Sequence, residues 1–314
     1  MSKCLYCYKE LEEGQVDFHP ACAKRFFGTD EAPQMPYTRD NMSELAKKVI
    51  RSSVSVTGVQ EKMSLDLDRG KKNEPAKFTI VGLWGKYIFK PQSSKYHSLP
   101  ELEDLTLRLA QTAGIKTVEH SLIRLADGEL GYITKRIDRD KKGEKISLLD
   151  MCQLSNRLTE HKYYGTYQQL ADTIKEYSSA TVLDLQRYWE VVFFSWLTGN
   201  SDMHCKNFSL IDIGDSEYIL SPAYDLLAVL LADPYDDEEM ALSLIVGGKK
   251  KGFKIADFSE AMVESGIEKN RAEAIIEKMI AKKETWFSQI DSSFLTADLK
   301  QKFKDLISSR TTQR

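Results

Sequence analysis

Three side chains in the middle of the chain have the types and spacing that phosphoryl transfer needs. Asp202 and Asn207 lie five residues apart in Gly199-Asn200-Ser201-Asp202-Met203-His204-Cys205-Lys206-Asn207. Asp225 follows Asn207 by eighteen residues in Ser221-Pro222-Ala223-Tyr224-Asp225-Leu226. An aspartate can orient or deprotonate an acceptor hydroxyl, an asparagine shortly after it can hold Mg²⁺, and a second aspartate on the next hairpin can complete the cation's ligands. Taken singly, each residue also has an ordinary reading: Asp202 as a turn or capping residue, His204 as a satisfied hydrogen-bonding histidine, Asn207 as a turn former. A second constellation stands at the start of the chain. Cys4 and Cys7 form C-x2-C, and His19 precedes Cys22 by three residues. Three thiolates and an imidazole on two tight turns suit a tetrahedral structural Zn²⁺. The plainer reading is small buried thiols packed around Phe26 and Phe27.

The Asp202-to-Asn207 spacing equals that of the catalytic loop of protein kinases, H-R-D-L-x-x-x-N. Upstream, Tyr87-Ile88-Phe89-Lys90 ends an apolar run on a lysine, the form of a strand lysine that grips α/β-phosphates. A phosphate-anchoring loop should precede it. The candidate is Ser53-Val54-Ser55-Val56-Thr57-Gly58-Val59-Gln60-Glu61-Lys62. With one glycine it matches neither G-x-G-x-x-G nor G-x-x-x-x-G-K-[ST], yet backbone N–H groups around Gly58 can still form a small anion nest flanked by hydroxyls.

These side chains need elements to hold them. Lys62 to Leu67 and Lys86 to Lys90 alternate polar and apolar residues and predict half-exposed strands, with further strands at His120–Leu125 and Leu130–Ile137. From Pro100 a helical face of Leu102, Leu105, Leu109, Ala110 and Ala113 runs to Gly114. This first part is a small α+β lobe. After Ser147 the pattern turns mainly helical. Its best-marked helix carries Val182, Leu185, Tyr188, Trp189, Val192, Phe193 and Trp196 as a core stripe. A short strand is expected at Glu217–Leu220. The tail from Asp257 to Ser309 repeats helical periods, with Ala274, Ile275, Met279 and Ile280 as one apolar set.

Composition narrows the classes. The 314 residues are 42% hydrophobic and 29% charged, enough for a core and unlike a disordered tail. Lysine and arginine total 44 against 47 acidic residues, so the formal net charge of −3 argues against a protein that coats nucleic acid or an anionic membrane. No apolar run approaches the ~20 residues needed to span a bilayer. The start has no secretory pattern, so a cytoplasmic location with reduced thiols is expected. Cys152 is then a core residue, and Cys205 sits in the loop of Asp202.

Taken together, Ser-Val-Thr-Gly-Val-Gln-Glu-Lys (55–62), Tyr-Ile-Phe-Lys (87–90), Asp-x-His-x-Lys-Asn-Phe-Ser (202–209) and Ser-Pro-Ala-Tyr-Asp-Leu (221–226) resemble the HipA family of bacterial toxin serine/threonine kinases. Four motifs agree in order over residues 50 to 250. The resemblance implies an α+β, two-lobed protein-kinase-like fold with a small mixed N-lobe, a mainly helical C-lobe and ATP between them. It implies Asp202 as catalytic base, Asn207 and Asp225 as Mg²⁺ ligands, and Lys90 on the nucleotide phosphates. His204 would lie beside the γ-phosphate, with Cys205 and Lys206 in the same nucleotide-binding loop, and Tyr224 would flank the nucleotide.

Thr57, Gly58, Val59, Gln60, Glu61 and Lys62 would form the phosphate loop, and Lys135, Arg136 and Ile137 the hinge that meets adenine. Glu103 stands where the family's Asn-Glu pair has its Glu, with Leu102 in place of the Asn. Ser53 and Ser55 would be autophosphorylated, as in the Ser-x-Ser loop of the shorter HipT branch, adding charge where ATP phosphates sit. Full-length HipA proteins carry an extra N-terminal subdomain of roughly a hundred residues, a usual small-domain size. Only about fifty precede the loop here, as in HipT kinases. The implied partners are an aminoacyl-tRNA synthetase as substrate, a HipB-like antitoxin and a HipS-like small protein. The expected division is a zinc-knuckle head (1–30), a kinase N-lobe (31–139) and a helical C-lobe (140–314). The competing readings are a small-molecule kinase of the same architecture and a non-catalytic zinc-binding regulatory module.

Overall fold

Polar–apolar alternation near residue 65 and an uninterrupted apolar helix near residue 190 belong to different parts of the molecule. The computed structural model describes residues 2–50, 62–70, 74–81, 85–233 and 238–313. Its chain divides into one unit of Met1–Asp104, Val118–Glu144 and Ser292–Phe294 and another of Leu105–Thr117, Lys145–Asp291 and Leu295–Arg314.

The first unit opens on the cysteine-bearing loops and helix α1 (Pro20–Phe27). Proline at its first turn costs no hydrogen bond, and Gly28 ends it in the left-handed region at φ 75°. Helix α2 (Arg39–Ile50) follows. Strands β1 (Met63–Asp68), β2 (Lys77–Val81) and β3 (Tyr87–Lys90), helix α3 (Leu99–Ala113), and strands β4 (His120–Arg124) and β5 (Leu130–Lys135) complete the unit, α3 continuing into the second. The sheet is antiparallel in the order β2-β1-β3-β5-β4, with Leu65 opposite Ile80 and Lys90 opposite Tyr132. Leu65, Phe78, Phe89, Leu122 and Ile133 are fully buried. Helix α1 packs on this sheet through Phe26 and Phe27, whose rings meet Tyr87 and Phe78 edge-on at 6.1 and 5.8 Å. Each such buried side chain contributes about 1.5–3 kcal/mol. The head and the sheet therefore share one core.

In the second unit, β6 (Leu148–Asp150) leads into α4 (Met151–Leu154) through a capping box in which Asp150 and Gln153 exchange hydrogen bonds. Helix α5 (Tyr167–Tyr177) starts with a second capping box, Thr166 with Gln169. Helix α6 (Thr181–Thr198) is apolar on nearly every side and runs through the core, with Trp189, Phe193, Phe194 and Trp196 fully buried. Strands β7 (Ser209–Asp212) and β8 (Tyr218–Leu220) join β6 in a sheet ordered β6-β7-β8. Among the described residues, helices α7 (Val229–Ala232), α8 (Ile255–Glu264), α9 (Lys269–Ile280), α10 (Lys283–Ser292) and α11 (Ala297–Thr312) follow. Trp286 of α10 donates its indole N–H to the Leu109 carbonyl at 3.0 Å, tying the end of α3 into this unit.

Two expectations are corrected. Val182 is 87% exposed, because the first turn of α6 extends past the core that the rest of the stripe fills. On α9 Ala274 faces solvent, and Ala272, Ile275, Ile276 and Met279 form the buried face. A methyl group is too small to choose a face against two isoleucines. Among the described residues no helix is long and apolar enough to cross a membrane.

Candidate active site

Lys90 ends β3 with its ammonium turned inward. Its Nζ lies 2.7 Å from Glu103 Oε1 on α3, both residues being buried, and 5.6 Å above the Tyr132 ring. A charge pair in a low-dielectric setting holds a lysine in one geometry, as binding a phosphate requires. At the end of β5, the backbone N–H of Lys135 donates to the Glu119 carbonyl and that of Arg136, the next residue, to the Lys86 carbonyl, both at 2.9 Å. The Lys135 side chain pairs with Glu119 at 2.6 Å. The Arg136 guanidinium forks onto Asp138 at 2.8 and 2.6 Å, while Arg139 reaches the same carboxylate at 2.9 Å. Burial raises the Asp138 carboxyl, but the Arg136 hydrogen bond and the two guanidinium charges outweigh it and hold it below the usual range. Ile137 lies in the bend between Arg136 and Asp138.

In the second unit α6 ends at Gly199 in the left-handed region, φ 77°. The positive φ favours glycine at this turn into the Asp202 loop, and a Cβ there would also push on the end of the Leu306 side chain, 2.6 Å away. The loop is fastened from several sides. The Tyr167 hydroxyl donates to the Met203 carbonyl at 2.8 Å, and the Cys205 N–H donates to the Lys162 carbonyl at 3.2 Å. Asn207 donates its Nδ2 to the Asp202 carbonyl at 3.0 Å, which leaves its Oδ1 as the acceptor a hard cation would use. Asp202 Oδ1 accepts the Tyr163 hydroxyl at 2.6 Å. Lys206 reaches Asp150 at 2.7 Å. The Tyr224 hydroxyl shares a short hydrogen bond with Ser209 and donates to the Lys206 carbonyl at 3.0 Å.

His204 is buried, and among the described residues its Nδ1 has no hydrogen-bond partner. Burial lowers its pKa, aided by Lys162 and opposed by the charges of Asp202 and Asp225, so both carboxylates act on one imidazole. Asp225 adopts φ 57°, a left-handed conformation that costs a non-glycine residue about 1–3 kcal/mol and recurs at functional sites. Burial raises the Cys205 thiol and pushes Cys152 up to about 11. Both sulfurs stay neutral, and Cys205 packs against Arg157 and the Tyr164 carbonyl at 3.6 Å each.

At the head, the ligand atoms of Cys4, Cys7, His19 and Cys22 all lie within 4.8 Å of one another. Cys7 Sγ and Cys22 Sγ stand 3.4 and 3.8 Å from His19 Nδ1, where atoms around a tetrahedral Zn²⁺ are spaced about 3.5–4 Å apart. His19 Nε2 donates to the Glu10 carbonyl at 2.9 Å, which presents the Nδ1 lone pair to the thiols as a metal-binding histidine needs. Burial, with the charges of Cys4 and Cys7 adding, pushes the Cys22 thiol up to about 12. These four residues fit a zinc ion.

Lys62 is exposed just before β1. Ser53, Ser55, Thr57, Gly58, Val59, Gln60 and Glu61 lie outside the described residues. Tyr163 and Asp150 escaped the sequence reading. Tyr163 is one of two adjacent tyrosines in a polar stretch, a weak signal. Asp150 opens a D-x-x-Q capping box, a local signal of a helix start that carries no mark of its pairing with Lys206.

The HipA-like C-terminal domain model matches residues 54–287, three-quarters of the chain. The chain belongs to the HipA family. An inferred kinase of Haemophilus influenzae is 26% identical over 272 residues, covering 79% of this chain and 76% of that protein. The serine/threonine-protein kinase toxin HipA of Shewanella oneidensis is 28% identical over 211 residues, 62% of this chain and 46% of the toxin. Among solved structures, Shewanella oneidensis HipA, in a complex with HipB and operator DNA, matches with a TM-score of 0.67 and 20% identity over 85% of this chain and 70% of that one. The Helicobacter pylori proinflammatory kinase CtkA matches at 0.55, with 15% identity over 79% and 93%. The kinase-like α+β fold expected for a HipA-family chain is thus the fold it shares with both.

Proposed function

We propose that this HipA-family chain transfers the γ-phosphoryl group of ATP to a serine or threonine hydroxyl of a protein. The observation that carries the reading is the buried Lys90–Glu103 pair at 2.7 Å, a lysine fixed as a phosphate grip requires. Asn207 and Asp225 hold Mg²⁺, which when bound neutralises charge on the β- and γ-phosphates. Asp202 takes the proton of the acceptor hydroxyl as that oxygen bonds to the γ-phosphorus and the bond to the leaving β,γ-bridging oxygen breaks. Lys135 to Ile137 meet the adenine, and His204, Cys205, Lys206 and Tyr224 shape the loop beside the nucleotide. Thr57 to Lys62 wrap the phosphates, and Ser53 and Ser55 accept phosphate from the same site.

The head (1–30) carries a structural Zn²⁺ on Cys4, Cys7, His19 and Cys22, residues 31–139 grip the nucleotide, and residues 140–314 carry the transfer chemistry. By family likeness the chain is the toxin of a toxin–antitoxin pair in the cytoplasm. Its substrate is an aminoacyl-tRNA synthetase, its antitoxin is HipB-like, and a HipS-like protein is a further partner. The test is γ-labelled ATP with cell extract, followed by phosphosite mapping. Label on Ser53, Ser55 or a synthetase is the expected result. Label confined to small metabolites favours the small-molecule kinase, and no label from active extract refutes the enzyme.

A further inference from the structure

The metal knuckle and the lysine of the proposed nucleotide site meet in one buried polar network. Tyr8 directly follows Cys7 and sits in the left-handed region at φ 65°, with its N–H closing the turn onto the Cys4 carbonyl at 2.9 Å. That conformation aims its ring inward. The hydroxyl donates to Asp104 Oδ2 at 2.6 Å, and Asp104 is fully buried. The other oxygen of Asp104 pairs with His120 Nδ1 at 2.7 Å. From there two routes lead to Lys90. Along α3, Asp104 adjoins Glu103, the ion-pair partner of Lys90. Across the sheet, the His120 ring stacks on Tyr132 at 6.1 Å and 24°, and Tyr132 both faces the Lys90 ammonium and lies opposite it in the ladder.

Buried charges and hydroxyls are costly to separate from their partners, so the Tyr8–Asp104, Asp104–His120 and Lys90–Glu103 contacts favour one arrangement of the elements they join. The turn that presents Tyr8 spans Cys4-Leu5-Tyr6-Cys7 and is closed by backbone hydrogen bonds, Tyr8 N–H to the Cys4 carbonyl at 2.9 Å and Cys4 N–H to the Lys9 carbonyl at 2.8 Å; an ion shared by Cys4 and Cys7 with His19 and Cys22 would brace it further. The Ser121 hydroxyl also donates to the Leu5 carbonyl of this turn at 3.4 Å and the Tyr8 ring meets Phe294 edge-on, while Asp17 on Arg124 at 2.9 Å and Phe26 and Phe27 on the sheet attach the head away from it.

We propose that the Cys4–Cys7–His19–Cys22 metal site is a positioning device for Lys90, holding Tyr8 on Asp104 so that α3 and His120 keep the Lys90–Glu103 pair closed. This rests on the reading of Lys90 as the phosphate grip, and Tyr8, Asp104 and His120 are positioning residues that touch no substrate. Loss of the metal then weakens nucleotide binding without removing any group that contacts ATP.

The test uses the full chain loaded with zinc and two readouts. One is the acylation rate of Lys90 by an activated ester, mapped by mass spectrometry with exposed Lys302 as reference; the other is the Kd for Mg-ATP. Tyr8→Phe should keep about one zinc per chain while raising Lys90 acylation roughly tenfold and the ATP Kd severalfold, and it should add nothing in a Lys90→Met background. Cys22→Ser should lose the metal with the same two changes, and Cys22→His, which keeps four ligands, should restore both. Should Tyr8→Phe misfold, the Cys22 pair alone decides. Unchanged Lys90 acylation in zinc-loaded Tyr8→Phe or in metal-free Cys22→Ser overturns the proposal, as does an equal loss of ATP affinity with and without Lys90. If the wild type binds no ATP, the kinase reading fails, and the acylation arm still decides the coupling.

Discussion

Charged groups are treated in opposite ways in the two units. In the first, polar groups near the proposed nucleotide grip are paired: Lys90 with Glu103 and His120 with Asp104 are buried, and Asp138 is half-buried between Arg136 and Arg139. In the second, the carboxylate proposed to act is held by hydroxyl and loop contacts, Tyr163 on Asp202 Oδ1 and Asn207 on the Asp202 carbonyl. Pairing fixes a charge but uses it up. A hydroxyl donating to the carboxylate and an amide donating to the same residue's backbone carbonyl fix the aspartate while leaving its charge for a cation or an incoming proton. The difference teaches that one unit is built to hold and the other to react, so mutations in the first should show in stability and those in the second in rate.

The largest effect should come from the reacting side. Asp202→Asn is expected to lower phosphoryl transfer about 10²–10⁴-fold, the usual worth of a general base, with an unchanged melting temperature. A comparable loss of stability would break the contrast. On the holding side, Lys90→Met leaves the Glu103 carboxylate buried without this cation and should cost ~3–5 kcal/mol in urea unfolding, much of it recovered in Lys90→Met/Glu103→Met. Recovery of stability without recovery of ATP binding would sharpen the division.

Titration should separate the units again. The Asp138 carboxyl is held below its ordinary value, so its contribution is present above about pH 4, the unfolded range, and is lost as pH falls through the lower folded value. Asp138→Asn should flatten the acid limb of the stability curve. His204 also has a lowered folded pKa, so the unfolded chain takes up its proton first. Stability should fall as pH drops below about 6.5, and His204→Gln should remove that step. Equal acid slopes for the wild type and both variants would contradict these assignments. The smallest effect belongs to Tyr163. Its hydroxyl occupies the oxygen an acceptor would use, so Tyr163→Phe should raise transfer severalfold, the worth of one hydrogen bond at ~1 kcal/mol. A fall in rate would show instead that the tyrosine orients the aspartate for reaction.

Much of this was legible in the sequence because it is written locally. The alternation of Met63 to Leu67, the face of Leu102, Leu105 and Leu109, and the aromatic run before Gly199 each obey one period. The knuckle spacing brought Cys4, Cys7, His19 and Cys22 to one point as expected. Pairings made across the fold were not legible. Nothing in Asp104 or His120, sixteen residues apart, marks them as a buried pair with Tyr8. Strand β6 has three residues and exists through its partner β7, too short for any periodicity to declare it. Val182 and Ala274 show the converse limit, since an apolar residue at the margin of a stripe goes where the helix end or its larger neighbours send it.

The central claim is that Asp202, Asn207 and Asp225 together transfer phosphate with a divalent cation. The direct measurement is transfer from γ-labelled ATP by the full chain with and without Mg²⁺, in the wild type and in Asp225→Asn. Label that requires Mg²⁺ in the wild type and falls at least about 10²-fold in the variant is the predicted result. Equal label in both proteins, or transfer indifferent to the cation, would contradict it.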